Sequence, residues 1–120
     1  MCIRDSINVY TSAPPLPDAR AGALLRSLSK TLATELGKPE SYVMTCLVPQ
    51  TSMTFGGTDA PACYAELKNI GTLSQDTTER LSKILCGLLS KELDVPQSRI
   101  YLEFKSVEPH LFGFNGETFA

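Results

Sequence analysis

The chain is 120 residues long, with 42% hydrophobic and 20% charged residues, and its 11 basic and 13 acidic side chains leave a net charge of −2. That length suits one domain, which hides about two thirds of the surface its unfolded form exposes, so a core forms without metals or staples. The charges form no basic stripe, which argues against nucleic acid as a partner. No apolar run reaches the roughly 20 residues of a bilayer span, so no membrane partner is expected.

Arg4 and Asp5 stand where a signal peptide would need apolar residues, so none is expected. Residues 6–12 alternate and are rich in β-formers, which predicts a strand. Pro14, Pro15 and Pro17 break it and lead into a helix that starts near Pro17 or Asp18 and runs to about Leu36. Gly37 suits the left-handed position after a helix, and Pro39 bars continuation. A strand follows from about Ser41 to Val48, and another over residues 62–70. Gly71 to Asp76 form a turn, with Ser74 or Asp76 as helix cap. A second helix spans roughly 75–93, Pro96 marks its exit, and residues 99–106 alternate as a strand. The tail from His110 to Ala120 suits a short strand or an ordered loop.

A faint duplication organises these elements. Residues 35–43 (Glu-Leu-Gly-Lys-Pro-Glu-Ser-Tyr-Val) and 92–100 (Glu-Leu-Asp-Val-Pro-Gln-Ser-Arg-Ile) share Glu, Leu, Pro, Ser and a closing β-branched residue. The same offset pairs Leu24, Leu28, Leu32 and Leu36 with Leu81, Leu85, Leu89 and Leu93, a stripe at the spacing of an amphipathic helix. The fold class is α+β, a two-layer domain: duplicated βαβ units, over about 7–57 and 62–110, forming a four-stranded sheet with two helices on one face. The other sheet face lacks a cover, so apolar residues there would have to be buried, and homo-oligomerisation is the simplest means.

Cys2, Cys46, Cys63 and Cys86 are widely spaced with no CxxC pair, and read as reduced thiols. His110 is the one histidine and reads as a surface residue, so no metal site is expected. Alternation puts Ile100, Leu102 and Phe104 on one face of the last long strand and Tyr101, Glu103 and Lys105 on the other.

Several segments then match in order and spacing: Gly37-Lys38-Pro39-Glu40-Ser41-Tyr42-Val43, Met53-Thr54-Phe55-Gly56-Gly57, Lys68-Asn69-Ile70-Gly71, Leu85-Cys86-Gly87-Leu88-Leu89, Pro96-Gln97-Ser98-Arg99-Ile100-Tyr101 and Gly113-Phe114-Asn115-Gly116-Glu117-Thr118-Phe119-Ala120. Over residues 7–120 the sequence resembles the macrophage migration inhibitory factor family of the tautomerase superfamily. The resemblance implies a homotrimer and a cofactor-independent keto–enol tautomerase acting on a small aromatic keto acid of the phenylpyruvate or dopachrome type. It implies a cytoplasmic protein with a second role as a cytokine-like signal, secreted without a signal peptide and met by a protein receptor. Lys38 resembles the lysine that holds the substrate carboxylate, Ile70 the residue whose backbone lines the pocket, and Tyr101 the tyrosine supplied across a subunit interface. Phe114 stands where a tryptophan is common, Phe112 and Phe119 would add apolar lining, and Glu103 replaces an amide side chain.

The family's base is a proline at the mature amino terminus. An apolar pocket lowers the basicity of that free amine toward operating pH, and an amide nitrogen in its place is not basic. The sequence departs from the pattern here: it opens Met1-Cys2-Ile3-Arg4-Asp5-Ser6, and the proline position falls near Asp5. Either the base is lost, or residues 1–6 are not native sequence. The abrupt change from a polar hexapeptide to a strand favours the second. Taken literally, the chain would have little tautomerase activity, leaving a catalytically vestigial signalling or binding trimer as the alternative.

Overall fold

The structure is a computed structural model that describes residues 5–120. Its first half is β1 (Asp5–Thr11), α1 (Asp18–Leu36), a 3-10 turn (Glu40–Tyr42) and β2 (Val43–Val48). Its second half is β3 (Cys63–Ile70), α2 (Gln75–Leu93), a 3-10 turn (Gln97–Arg99) and β4 (Ile100–Val107). Adding 57 to both bounds of α1 gives those of α2, and the same shift carries the first 3-10 turn onto the second. The duplication is therefore structural. A third 3-10 turn (Pro109–Leu111) and a two-stranded hairpin, β5 (Gly113–Phe114) and β6 (Glu117–Thr118), complete the tail.

The sheet order is β2-β1-β3-β4. Each half contributes a parallel pair, β1 with β2 and β3 with β4, and the halves meet at the antiparallel β1–β3 pair. The helices end by the means expected of their residues. Gly37 adopts φ 66° and ψ 40°, and Asp94 takes the same left-handed place after α2 at φ 56°. Ser74 caps α2 by accepting a hydrogen bond from the Thr77 amide.

One hydrophobic cluster joins both halves. Leu24, Leu28 and Leu32 of α1 meet Leu81, Leu85, Leu89 and Leu93 of α2 over Ile7, Val9, Cys63, Ala65, Leu67 and Ile100 of the sheet. Each buried leucine contributes about 1.5–3 kcal/mol of transfer free energy, so the two stripes dominate the stability of this layer. Leu102 and Phe104 flank the cluster while Tyr101 is 66% exposed, as alternation predicts. Cys46, Cys63 and Cys86 are free thiols, and Cys86 packs against the cluster. Cys2 lies outside the described residues.

The uncovered face is largely polar, and on β4 it carries Tyr101, Glu103 and Lys105 as alternation predicts. Across β1, β3 and β4 it carries a tyrosine row (Tyr10, Tyr64, Tyr101), then Asn8 with Glu66 and Glu103, then Ser6 with Lys68 and Lys105. Exposed apolar residues on this side stand on edge strand β2, where Met44 is 70% exposed. Strand pairing fixes side-chain parity, so the inward leucine layer forces these polar residues outward.

Replacing Leu85, which has no solvent exposure, by alanine is expected to lower unfolding free energy by about 2–5 kcal/mol. Ile84→Ala, at a partly exposed site on the same helix, should cost much less in the same denaturant titration.

Candidate functional site

β1 begins with a charged residue at an inward position. Asp5 shares the face of Ile7 and Val9, and it lies opposite Val43 on β2 and Asn69 on β3. Its side chain is fully buried. The left-handed Gly37 turns the chain after α1 and brings Lys38 to this end of the sheet. The Lys38 ammonium donates to Asp5 Oδ1 at 3.0 Å and stands 3.0 Å from Oδ2. It also donates to Oδ1 of Asn69, itself buried. Asp5 Oδ2 has no hydrogen bond among the described residues.

Two opposed effects act on this carboxylate. Burial disfavours its charge and raises its pKa, while the hydrogen bond and the charge of Lys38 lower it. Burial wins, so Asp5 titrates above its ordinary value of 3.8. A buried ion pair often costs more in lost hydration than it regains in attraction, and among the described residues the second oxygen has only the Lys38 charge beside it and no hydrogen bond.

Asp5 opens onto a cavity of about 450 Å³ whose other walls are Ser6, Ser41 to Met44, and Phe112 to Phe114. The aromatic wall comes from the tail. Phe119 packs 5.9 Å from both Phe112 and Phe114, and its amide donates to the Phe112 carbonyl and to Pro109. Of the residues singled out from sequence, the fold thus brings Lys38, Phe112 and Phe114 to the Asp5 end. Ile70 follows Asn69 directly and is 1% exposed. His110 is exposed, with its Nδ1 3.4 Å from Glu108 Oε2.

Tyr101 is not at this end. It pairs with Tyr64, whose β1 partner is Tyr10, whereas Asp5 pairs with Asn69. Five residues of strand separate the two rows, on the order of 16 Å. Tyr101 belongs instead to a second cavity of about 400 Å³ with Met53, Phe55 and Tyr64. A larger hollow of about 660 Å³, beside Ser12, Gln50 and Asp59, has no buried ionisable side chain on its walls.

Arg99 builds the Tyr101 end. Its Nε donates to the Pro61 carbonyl at 2.9 Å, Nη1 to Phe55 at 3.3 Å, and Nη2 to Thr58 and Ala60 at 3.3 and 2.9 Å. The carbonyls belong to a loop with a tight turn at Phe55–Thr58, where Gly56 and Gly57 adopt φ 60° and 80°. The guanidinium lies 5.2 Å from the Phe55 ring centroid, and that ring sits 4.8 Å from Tyr101. Only the planar fork of arginine reaches four carbonyls at once.

Sequence reasoning passed over Asn69 and Arg99. Asn69 had a signal, because an amide at an inward strand position needs a partner. Arg99 had none, since its partners lie in a loop some 40 positions earlier. Cys63 offers no nucleophile: burial, with Cys86 a lesser cause, pushes its thiol up to about 12. Among the described residues no three His, Cys, Asp or Glu side chains gather as a metal site, and no helix is long and apolar enough to cross a membrane.

This arrangement has relatives. The sequence profile described as macrophage migration inhibitory factor (MIF) matches residues 8–120. The chain belongs to the macrophage migration inhibitory factor family. It is 35% identical over 103 residues to the Xenopus tropicalis factor, covering 86% of this chain and 90% of that one. It is 38% identical over 96 residues to the mouse factor, covering 80% and 84%. Among solved structures, the homologue from Prochlorococcus marinus superposes with a TM-score of 0.91 at 44% identity, over 96% of this chain and 99% of that one. The Toxoplasma gondii factor gives 0.88 at 31%, over 95% and 99%. The resemblance read from the motifs therefore holds, and the two-layer fold of this MIF-family chain is the one its solved relatives share.

Two measurements check this geometry. Because the folded Asp5 pKa exceeds 3.8, the folded chain binds more protons than the unfolded chain between the two values. The contribution of Asp5 is therefore fully favourable below 3.8, falls as pH rises through the folded pKa, and is flat above it. Asp5→Asn should remove that downward slope from a plot of unfolding free energy against pH. At the other end, Arg99→Lys should speed amide exchange over residues 55–61 and cost about 1–3 kcal/mol of stability, with exchange in α1 rising only as global stability falls.

Proposed function

We propose that the cavity at the Asp5 end is a binding site for small aromatic α-keto acids, of the phenylpyruvate or dopachrome type, and that its chemistry is cofactor-independent keto–enol tautomerisation. The observation that carries this reading is an ammonium group, Lys38, held at the end of β1 beside a cavity with an aromatic wall, in a chain of the MIF family. The ammonium matches the substrate carboxylate, and Phe112 and Phe114 match its ring. In the reaction a base takes the proton from the carbon beside the ketone, the ketone oxygen gains a proton, and the enol forms.

The base is what this chain alters. Asp5 stands near the position that the resemblance gives the family's terminal proline, its nitrogen is an amide, and its carboxylate neutralises Lys38. That single contact favours the second reading, a binding or signalling protein with a vestigial pocket. Both readings take the working form as a homotrimer. Tyr101 and Lys38 stand at opposite ends of one sheet, so Tyr101 serves the cavity of a neighbouring copy.

Phenylpyruvate enolisation by the chain as given should be slow. A variant with residues 2–4 deleted and Asp5→Pro, from which initiator Met removal frees the proline amine, should be faster by on the order of 10²–10⁴. Adding Lys38→Ala to that variant should raise KM. Equal rates for the two chains would sink the role of the terminal amine. If neither turns over while both bind phenylpyruvate, the vestigial reading replaces the enzymatic one.

A further inference from the structure

Phe55 stands in a loop with few attachments of its own. A Cβ added at Gly56 or Gly57 would meet nothing within 4 Å, so this turn stands clear of the rest of the chain. It closes on itself through the bridge between Phe55 and Thr58. Among the described residues, the hydrogen bonds that tie residues 55–61 to the rest of the chain all come from Arg99. Four of the five guanidinium donors are thereby taken, which leaves Arg99 little to offer a ligand directly. Arg99 and Tyr101 lie two residues apart at the start of β4, and the Phe55 ring contacts both. It is 5.2 Å from the guanidinium and 4.8 Å from the Tyr101 ring, tilted 43° to the latter. One arginine thus fastens the backbone of Phe55 and also draws in its ring.

Tyr101 is 66% exposed, and Phe55 is its aromatic partner among the described residues. An exposed phenol without such a partner exchanges among its rotamers, and a ligand would have to order it on binding. We propose that Arg99 is a positioning residue for ligand binding: it fastens the 55–61 loop, the loop sets Phe55 against Tyr101, and the ordered pair is the ring-binding wall that one copy presents to the cavity of its neighbour. This role rests on the reading that Tyr101 serves a neighbouring copy and that the cavity takes small aromatic α-keto acids. An aromatic ligand gains from a wall already ordered, through offset or edge-to-face ring contacts that change affinity by about threefold to tenfold. Neither Arg99 nor Phe55 borders the cavity beside Asp5 and Lys38 of its own copy, so the role is independent of which group acts as base.

The test is a phenylpyruvate titration of the full chain and its variants, followed by ligand-observed NMR. Circular dichroism and light scattering check that each variant keeps its fold and its assembly. Arg99→Lys keeps the charge but cannot span the four carbonyls, and it should weaken phenylpyruvate by about threefold to tenfold. Phe55→Leu leaves every Arg99 hydrogen bond possible, since all of them end on backbone carbonyls, and it should give a loss of the same size. In a Tyr101→Ala background, Arg99→Lys should add no further loss. A merely structural arginine would not behave so, because damage to the fold or the assembly lowers affinity whatever stands at position 101. If Arg99→Lys does not fold, the same cycle with Phe55→Leu and Tyr101→Ala decides in its place. If Tyr101→Ala weakens binding while Arg99→Lys and Phe55→Leu leave it unchanged, or if the losses simply add, the positioning role is overturned and the site reading stands. If Tyr101→Ala binds as the unaltered chain does, or if no chain binds phenylpyruvate, the shared-cavity reading falls and the positioning role falls with it.

Discussion

Two leucine stripes packing over one face of a four-stranded sheet set the conditions for everything else in this protein. A single βαβ unit of this size cannot bury its own apolar face. Two such units joined at the antiparallel β1–β3 pair place α1 and α2 side by side and close one cluster from Leu24 to Ile100. Because strand side chains alternate, that cluster dictates which residues point the other way. The tyrosine, glutamate and lysine rows of the open face are the complement of the core, and their register is as strict as that of the leucines.

The same constraint explains why the polar cluster at the end of β1 is so tightly held. Asp5 and Asn69 occupy inward positions and continue the lines of Ile7 and Leu67, so they are buried whether or not their chemistry favours it. Lys38 is the compensating group, delivered by the left-handed turn after α1. The compensation is incomplete, since one carboxylate oxygen lacks a hydrogen bond among the described residues and burial still raises the pKa.

The two ends of the sheet have different makers. At the Asp5 end the wall is aromatic and comes from the tail, where Phe119 braces Phe112 and Phe114. At the Tyr101 end the scaffold is a glycine turn gathered by the four donated hydrogen bonds of Arg99. One chain therefore carries its aromatic-walled cavity and its Tyr101 cavity at opposite ends of the sheet.

Local pattern was enough to read both helices, the Gly37 stop and a start cap narrowed to Ser74 or Asp76, the four long strands and the duplication, because each depends on periodicity and on residues within a turn of one another. The motifs around Lys38, Ile70, Tyr101 and Phe114 were enough to read the family. Pattern could not show that Asp5, Lys38 and Asn69 meet, or that Arg99 reaches Phe55 and Ala60, since those contacts join residues more than 30 positions apart. Nor did it show that the open face would be banded by charge: alternation assigns a parity to each strand, but only strand order and register set Lys68 against Lys105. The sequence by itself determined the elements and the family, through short-range periodicity and motif spacing. The tertiary structure alone decided which charges are buried together and which are left without partners, because pairing in space is set by the register of strands distant in the chain.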